Sequence, residues 1–186
     1  MLSRLLEWDR ELFVYLNGLG IESFDVFWAT VTLIPTWIPL FLFFIYLFLK
    51  KYPKKEALYI IGTILVLALF VHTVTDLTKE IVGRLRPNND PSINRTIRIL
   101  RAAGGFSFFS GHASLSFAVA TAVYLFLRSK IAWGAVFFVW PLLFASSRLF
   151  VGVHFPLDIL VGALVGIVSA FLFRYLYGAL ISPGSG

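Results

Sequence analysis

Three polar residues near the C-terminal end of the sequence have types and spacing suited to chemistry. Arg148 is followed six residues later by His154, and His154 is followed four residues later by Asp158. Ionisable residues are costly in a largely apolar chain, which makes them candidates for function. The arginine offers a clamp for an anion, the histidine a nucleophile or base, and the carboxylate a partner that fixes the imidazole tautomer. This combination predicts attack on a phosphorus atom.

Two further segments carry side chains of the same kind. Lys79 and Arg86 are seven residues apart, which is two helical turns, so they share a face if the helix continues that far. Pro87 makes continuation beyond this point unfavourable. The Ser-Gly-His sequence at 110–112 precedes an apolar stretch, and the N–H groups at the start of a helix bind anions. Both segments therefore add candidate phosphate ligands.

The elements that position these residues are predicted to be membrane helices. Of the 186 residues, 59% are hydrophobic and 14% are charged, whereas soluble domains carry about 25% charged residues. About 20 apolar residues cross a bilayer as a helix. Five stretches approach or exceed that length, namely 27–49 (with Pro35 and Pro39 as kinks), 57–77, 113–127, 131–146 and 157–177. Residues 1–20 instead alternate apolar and charged side chains, which is typical of a helix lying in the membrane interface.

The predicted fold class is an all-α membrane helical bundle with about five transmembrane helices and an N-terminal amphipathic interfacial helix. We expect a single membrane-embedded domain over 1–186, with the interfacial helix at 1–22, the catalytic bundle at 23–178 and a flexible tail at 179–186. Residues 1–9 lack a basic stretch followed by an apolar run, so no cleavable signal peptide is expected. The absence of cysteine excludes disulfide and thiolate chemistry.

The loops also predict an orientation in the membrane. Five spans place loops 78–112 and 147–156 on one side and the lysine-rich loop 50–55 on the other. A surplus of lysine favours the cytoplasmic side for loop 50–55. The opposite loops hold more positive residues in total, but several of these are assigned to phosphate binding. We therefore expect a multi-pass protein of the bacterial inner (cell) membrane with its site facing the periplasm.

The three polar segments together resemble the signature of the type 2 phosphatidic acid phosphatase family. The matching residues are Lys79-x6-Arg86-Pro87, Ser110-Gly111-His112 and Ser147-Arg148-x5-His154-x3-Asp158. The resemblance covers about 24–178 in layout, and it departs from the family at Phe109, where a proline is usual. Members of this family are membrane-embedded lipid phosphate phosphatases related to soluble acid phosphatases and vanadium haloperoxidases.

The resemblance implies a role for each residue of the signature. His154 would be the nucleophile that forms a phosphohistidine, Asp158 would hold its other ring nitrogen, and His112 would protonate the leaving oxygen and then activate water. The residues expected to bind the phosphoryl oxygens are Lys79, Arg86, Ser110, Gly111 and Arg148. We expect no metal and no other cofactor, because three cations neutralise the phosphoryl group and no spaced carboxylate cluster is present for magnesium.

Other polar residues near the signature allow two interpretations each. His72, Asp76 and Lys79 fall on one helical face, either as a network that orients Lys79 or as ordinary polar packing near a span end. The arginines of the catalytic-side loop are Arg84, Arg95, Arg98 and Arg101. They form either a solvated basic loop that meets anionic headgroups or a recognition surface. Recognition would favour a substrate with more than one anionic group.

The expected function is an integral membrane lipid phosphatase acting on a phosphate monoester or diphosphate of a lipid headgroup. Lipid A phosphate, undecaprenyl diphosphate and phosphatidylglycerophosphate fit better than phosphatidic acid if the loop arginines recognise the substrate. The alternatives are a non-catalytic lipid-binding or transport protein on the same bundle, and a vanadate-dependent peroxidase, which the membrane spans disfavour. The expected partners are the lipid substrate and the bilayer, without nucleic acid or an obligate protein partner.

Overall fold

The computed structural model describes residues 2–181, and these residues are almost entirely helical. The α-helices are α1 (Leu2–Gly18), α2 (Asp25–Val31), α3 (Ile38–Lys51), α4 (Lys54–Val82), α5 (Gly111–Leu127), α6 (Val139–Phe150) and α7 (Pro156–Leu180). Short 3-10 helices lie at Glu22–Phe24, Ile34–Trp37, Pro87–Asn89 and Gly134–Phe138. The described residues contain no strand, only an isolated bridge between Leu85 and Phe106. The predicted all-α class is confirmed.

Three helical segments are long and apolar enough to cross a membrane. They are Ile34–Lys51, Lys54–Val82 and Pro156–Leu180, while Gly111–Leu127 and Gly134–Phe150 are shorter apolar segments. A helix of the length of α5, 17 residues, extends about 25 Å, somewhat less than the roughly 30 Å hydrocarbon layer. The predicted membrane bundle is thus confirmed. Within residues 2–181, however, only three of the five predicted spans correspond to helices long and apolar enough to cross the membrane.

The first predicted span, 27–49, is divided in two. Helix α2 ends at Val31, Leu33 is extended with φ −87° and ψ 133°, and α3 begins only at Ile38. The interruption precedes Pro35, which lacks an N–H group and disfavours the helical conformation in the residue before it. The prediction of one kinked helix was therefore wrong, and the break places Thr32 at the end of α2, next to His112 and Arg148.

Helices α5 and α7 form the centre of the bundle and pack closely along each other. A Cβ atom on Gly162 would lie 2.7 Å from the Ser110 carbonyl oxygen, and one on Gly166 would lie closer still to that of Ser114. Glycines at such positions let two helix backbones approach in a membrane protein. The contact also joins the two N-termini, because the Ser110 N–H donates to the Asp158 carbonyl over 2.9 Å.

Helix α1 packs against the loops at this same end of the bundle. Asp9, Phe13 and Asn17 recur every four residues and are all buried, so they form one face. The Asn17 amide donates to the carbonyl oxygens of Arg98 and Leu149 over 3.0 and 2.8 Å. Several apolar residues of α1 are exposed instead, among them Leu5, Leu6, Trp8 and Leu12. The helix is amphipathic as predicted, but it buries a face that is polar at both ends.

The ends of the two longest helices differ from the predicted boundaries. Helix α4 continues to Val82 rather than 77, and α7 continues to Leu180, two residues into the segment 179–186 that was expected to be a flexible tail. Residues 182–186 of that segment lie outside the described residues.

Candidate active site

The segment after α4 reaches the site as an extended loop and not as a helix. Gly83 ends α4 with φ +62°, a left-handed conformation that glycine adopts without a Cβ penalty. The chain then runs extended, and Leu85 bridges Phe106 while the Ser107 N–H donates to the Arg84 carbonyl over 2.8 Å. Helix α4 ends before Arg86, so the condition under which Lys79 and Arg86 would share one helical face is not met, although both reach the same end of the bundle.

His154 lies buried in the loop between α6 and α7, with only 2% of its surface exposed. Its Nε2 atom is 3.0 Å from Nη1 of Arg86. A guanidinium has no acceptor, so Nε2 carries a lone pair and the proton of the neutral ring lies on Nδ1. Burial, and next the positive charge of Arg86, lower the pKa of His154 well below its ordinary value. The imidazole is therefore neutral at neutral pH.

The Asp158 carboxylate lies beside His154 but has stronger partners elsewhere. Its Oδ2 atom is 3.5 Å from Nδ1 of His154, a distance at which a hydrogen bond is weak, and Nδ1 has no hydrogen bond within the described part of the chain. Oδ2 accepts the Phe155 N–H over 3.0 Å, and Oδ1 accepts from Nη1 of Arg84 over 2.7 Å. The predicted pair of His154 and Asp158 is therefore in contact. Its distance is longer than that of a strong hydrogen bond and would decrease when the ring becomes charged.

Arg84 is an internal residue of this site rather than a loop cation. Its Nη2 atom lies 2.6 Å from Oδ2 of Asp9, while Nη1 holds Asp158. Its guanidinium also lies 3.9 Å from the centre of the Phe155 ring. Both interpretations offered for Arg84, a solvated basic residue and a recognition residue, were wrong. The only signal for Arg84 in the sequence is a weak one, its position two residues before Arg86. Nothing in the spacing of the motifs indicated Asp9.

The remaining loop arginines divide into one paired and two exposed residues. Arg98 donates from Nη2 to both carboxylate oxygens of Asp25 over 2.6 and 2.7 Å, so it ties the loop to the start of α2. Arg95 and Arg101 are exposed. The recognition hypothesis therefore applies to these two residues alone.

Thr32, at the end of α2, joins two of the predicted site residues. Its hydroxyl oxygen accepts from Nη1 of Arg148 over 2.5 Å, and its carbonyl oxygen lies 3.3 Å from Nε2 of His112. A carbonyl only accepts, so Nε2 of His112 carries a proton. The His112 ring stacks on Phe144 with centroids 4.5 Å apart. No motif marked Thr32 in the sequence; the only signal was its position just before the proline break.

Arg148 is a buried cation with unused donors. The residue is 8% exposed, and its Nε atom has no hydrogen-bond partner among residues 2–181. Buried polar groups are nearly always hydrogen-bonded, so such a group needs an explanation. An anionic ligand between Arg148, Arg86 and His154 would supply the missing acceptor.

Lys79 and the start of α5 complete the predicted phosphate site. A Cβ atom on Gly111 would lie 3.6 Å from Nζ of Lys79, so the ammonium group reaches the N-terminus of α5. Ser110 caps that helix, its hydroxyl oxygen accepting the Ala113 N–H over 3.4 Å. Within residues 2–181 no group of three or more histidines and carboxylates is arranged to hold a metal ion.

The polar residues of α4 that were expected to orient Lys79 line up along the helix but face outward. Nε2 of His72 is 3.4 Å from Oδ2 of Asp76, and Nζ of Lys79 is 3.3 Å from Oδ1 of the same carboxylate. The side chains of His72 and Asp76 are 67% and 52% exposed. Asp76 thus contacts Lys79, whereas neither residue points into the bundle.

Sequence comparison agrees with this arrangement of three segments. The profile described as PAP2 superfamily matches residues 56–182. A lipid A 4'-phosphatase of Bacteroides thetaiotaomicron is 30% identical over 181 residues, which cover 95% of this chain and 80% of that protein. The lipid A 4'-phosphatase of Porphyromonas gingivalis is 31% identical over 183 residues, covering 93% and 75%. The chain belongs to the PAP2 superfamily.

Solved structures give the same PAP2 fold. A transmembrane PAP2-type phosphatidylglycerolphosphate phosphatase from Bacillus subtilis superimposes with a TM-score of 0.75 at 19% identity, covering 95% of this chain and 88% of that one. Aquifex aeolicus LpxE superimposes with a TM-score of 0.66 at 29% identity, covering 89% and 93%. The predicted family, the membrane helical fold and the class of activity, a membrane lipid phosphatase, are confirmed. The predicted location is confirmed as far as a membrane protein with bacterial relatives.

Proposed function

We propose that this PAP2 protein hydrolyses a phosphate ester on a lipid headgroup in two steps through a phosphohistidine. The observation that carries the proposal is the buried neutral His154, whose Nε2 lone pair faces Arg86 at 3.0 Å and whose Nδ1 faces Asp158 at 3.5 Å. Phosphoryl oxygens would take over the hydrogen bond of Arg86 and occupy the unused donors of Arg148. Cations placed in this way stabilise charge that develops during phosphoryl transfer.

In the first step the Nε2 lone pair forms a bond to phosphorus while the bond from phosphorus to the lipid oxygen breaks. His112 enters this step as the imidazolium, with a proton on each ring nitrogen, and donates one of them to that oxygen. Because Nε2 of His112 is directed at the Thr32 carbonyl, the transferred proton comes from Nδ1. As His154 gains positive charge, its Nδ1–H group moves closer to Asp158.

In the second step the phosphohistidine is hydrolysed. His112, now neutral at Nδ1, takes a proton from water, and the oxygen bonds to phosphorus as the phosphorus–nitrogen bond breaks. The electron pair of that bond returns to Nε2 of His154. Lys79, Arg86 and Arg148 hold the three equatorial oxygens throughout, so the chain's own residues account for the charge.

We propose lipid A phosphate as the substrate. The two lipid A 4'-phosphatases match more than nine-tenths of this chain, whereas the undecaprenyl-diphosphatase of Sulfolobus acidocaldarius, 32% identical, matches 60% of it. Undecaprenyl diphosphate is the second candidate, since the exposed Arg95 and Arg101 suit a headgroup with more than one anionic group. The presence of every signature residue disfavours a non-catalytic lipid-binding role.

An apolar cavity beside the site supports a lipid substrate. The cavity has a volume of about 270 Å³ and lies between α3, α4, α5 and α6. Phe144 lines it and also stacks on His112, so the cavity begins next to the reacting atoms. Other residues that line the cavity include Trp37, Phe41, Ile64 and Leu115. We propose that an acyl chain of the substrate lies there.

We further propose that the protein sits in the bacterial inner membrane with this site facing the periplasm. The C-terminal end of α3 and the N-terminal end of α4 carry Lys50, Lys51, Lys54 and Lys55. Arg128 and Lys130 follow the C-terminal end of α5. These residues lie at the end of the bundle opposite the site, and positive loops favour the cytoplasmic side. A cysteine-accessibility experiment in intact cells at positions 52 and 102 tests this orientation, and labelling of position 52 alone contradicts it.

The function is tested by phosphate release from purified protein in detergent with EDTA present. The panel contains lipid A, undecaprenyl diphosphate, phosphatidylglycerophosphate and phosphatidic acid. We expect lipid A to react fastest, with a rate unchanged by EDTA. Preference for phosphatidic acid contradicts the substrate, and activity that requires added magnesium contradicts the mechanism. No release from any lipid, in protein whose fold is verified by circular dichroism, supports the non-catalytic alternative.

A further inference from the structure

The buried face of α1 reaches the carboxylate beside the proposed nucleophile through one arginine. Asp9 is 6% exposed and Asp158 is fully buried, and Arg84 lies between them with one nitrogen on each carboxylate, at 2.6 and 2.7 Å. The other oxygen of Asp9 accepts the Leu157 N–H over 2.8 Å. Helix α1 is therefore joined both to Arg84 and to the first turn of α7, where Asp158 is located.

These contacts determine which oxygen of Asp158 faces the imidazole. Arg84 donates to Oδ1. The other oxygen, Oδ2, accepts the Phe155 N–H and faces Nδ1 of His154. Without Arg84, Oδ1 would lose this partner and only the Phe155 N–H would hold Oδ2, so the carboxylate could turn more easily about its Cβ–Cγ bond and lose its alignment with the ring. Asp9 and the ring of Phe155 hold the guanidinium from two further directions, so Arg84 itself has little freedom.

The charges of the cluster lead to the same conclusion. The two carboxylates and one guanidinium of this cluster leave a net charge of −1 on the Nδ1 side of His154, opposite Arg86 at Nε2. If Asp9 were neutral, Arg84 would cancel the charge of Asp158, and the histidine would gain positive charge without a compensating anion. Charged hydrogen bonds of this length in a buried site are strong, and removing one partner affects the others.

We propose that Asp9 and Arg84 are positioning residues that hold the Asp158 carboxylate toward Nδ1 of His154, so that α1 is a working part of the active site. The proposal rests on the proposed function, in which His154 attacks phosphorus. Neither residue touches the substrate, and both act through Asp158.

A kinetic cycle separates this role from a purely structural one. We expect Asp9→Asn to lower kcat about tenfold with KM changed less than about twofold, as expected for a misplaced catalytic group. Arg84→Lys keeps the charge but lacks the planar fork, and we expect a similar loss. In the Asp158→Asn background, Asp9→Asn should change kcat less than about twofold, because residues that act through a common partner are not additive.

The matched control is Glu7→Gln, which removes one negative charge from the exposed side of the same helix. It should leave kcat within about twofold of the wild type. An equal loss for Asp9→Asn in both backgrounds overturns the proposal, as does an unchanged kcat in the wild-type background.

A spectroscopic measurement keeps the proposal testable whatever the substrate is. The chain contains three histidines, so protein labelled with 15N-histidine gives signals from three imidazole rings, and His154→Gln assigns those of His154. We expect a downfield, exchange-protected Nδ1–H proton in the wild type and in Glu7→Gln, and an upfield shift or loss in Asp9→Asn and Arg84→Lys. An unchanged signal in Asp9→Asn overturns the proposal. Absence of phosphate release by the wild type would instead count against the proposed function, and this measurement would be unaffected.

Discussion

Nη1 of Arg86 lies 3.0 Å from Nε2 of His154, on the side of the ring from which a phosphorus atom would approach. The guanidinium therefore covers the proposed nucleophilic lone pair until an anion arrives. Because Arg86 also donates to the carbonyl oxygens of Gly104 and Val153 over 2.8 and 3.3 Å, it is held near the ring rather than swinging freely. On substrate binding, Arg86 would exchange its hydrogen bond to Nε2 of His154 for one to a phosphoryl oxygen, and no new pocket would have to form.

Replacement of the proposed nucleophile should abolish turnover and the covalent intermediate together. We expect His154→Asn to lower kcat by about a thousandfold or more, as for nucleophiles of other covalent enzymes. Rapid acid-free quenching and mass spectrometry of the wild type should show one phosphorylated residue, at His154. Normal turnover in His154→Asn, or phosphorylation at another residue, would contradict the mechanism.

The lowered pKa of His154 predicts the pH dependence of the free enzyme. The ring attacks when neutral, and a lowered pKa keeps it neutral at more acidic pH. The acid limb of kcat/KM should therefore lie below about pH 6.5, the ordinary value for histidine. Arg86→Gln removes a positive charge that lowers this pKa, so its acid limb should move to higher pH. The ionisation of the lipid phosphate is measured separately by 31P NMR, and the kcat/KM profile is corrected for it. An acid limb of the wild-type profile above pH 6.5 would contradict the prediction.

Thr32 should matter through its hydroxyl group. Thr32→Val leaves the buried Arg148 without its side-chain acceptor, and an unsatisfied buried charge is costly. We expect kcat/KM for lipid phosphate to fall about tenfold through misplacement of the cation. Thr32→Ser retains the hydroxyl and should retain most activity, and Thr30→Val, at an exposed position on the same helix, should have little effect. Equal activity of the valine and serine variants at Thr32 would count against this role.

The close contact between α5 and α7 should depend on the absence of a side chain at Gly166. A Cβ atom there would overlap the Ser114 carbonyl oxygen, and overpacking typically costs about 1–3 kcal/mol. We expect Gly166→Ala to lower the midpoint of thermal unfolding in detergent. Gly62→Ala is the matched control, since a Cβ atom at that position on α4 would meet nothing within 4 Å. The idea fails if both variants unfold at the same temperature.

The residues that lie together as the sequence predicted are those whose identity and spacing carry chemistry. Arg86, Arg148, His154 and Asp158 meet in space because their loops leave the same end of the bundle, which the count of apolar stretches already predicted. Hydrophobic length and motif spacing are local properties of the chain. They are therefore visible without the fold.

The residues that sequence reasoning missed act over long separations. Asp9 and Arg84 are 75 positions apart, and Thr32 and Arg148 are 116 apart. Each lies in a stretch whose local pattern has an ordinary explanation, an amphipathic helix for Asp9 and an apolar span for Thr32. Which face of α1 is buried depends on the loops it meets, and the pattern of the helix alone does not specify those loops.

Arg84 and Arg86 stand two positions apart in an extended segment, with the exposed Leu85 between them. In extended chain, alternate side chains point to the same side. One short stretch of backbone therefore delivers both the group that aligns Asp158 and the group that contacts Nε2 of His154. An insertion of a single residue at Leu85 would turn one of the two arginines away while leaving every side chain of the site in the sequence. The interval between these arginines is thus as much a requirement of the site as their charge.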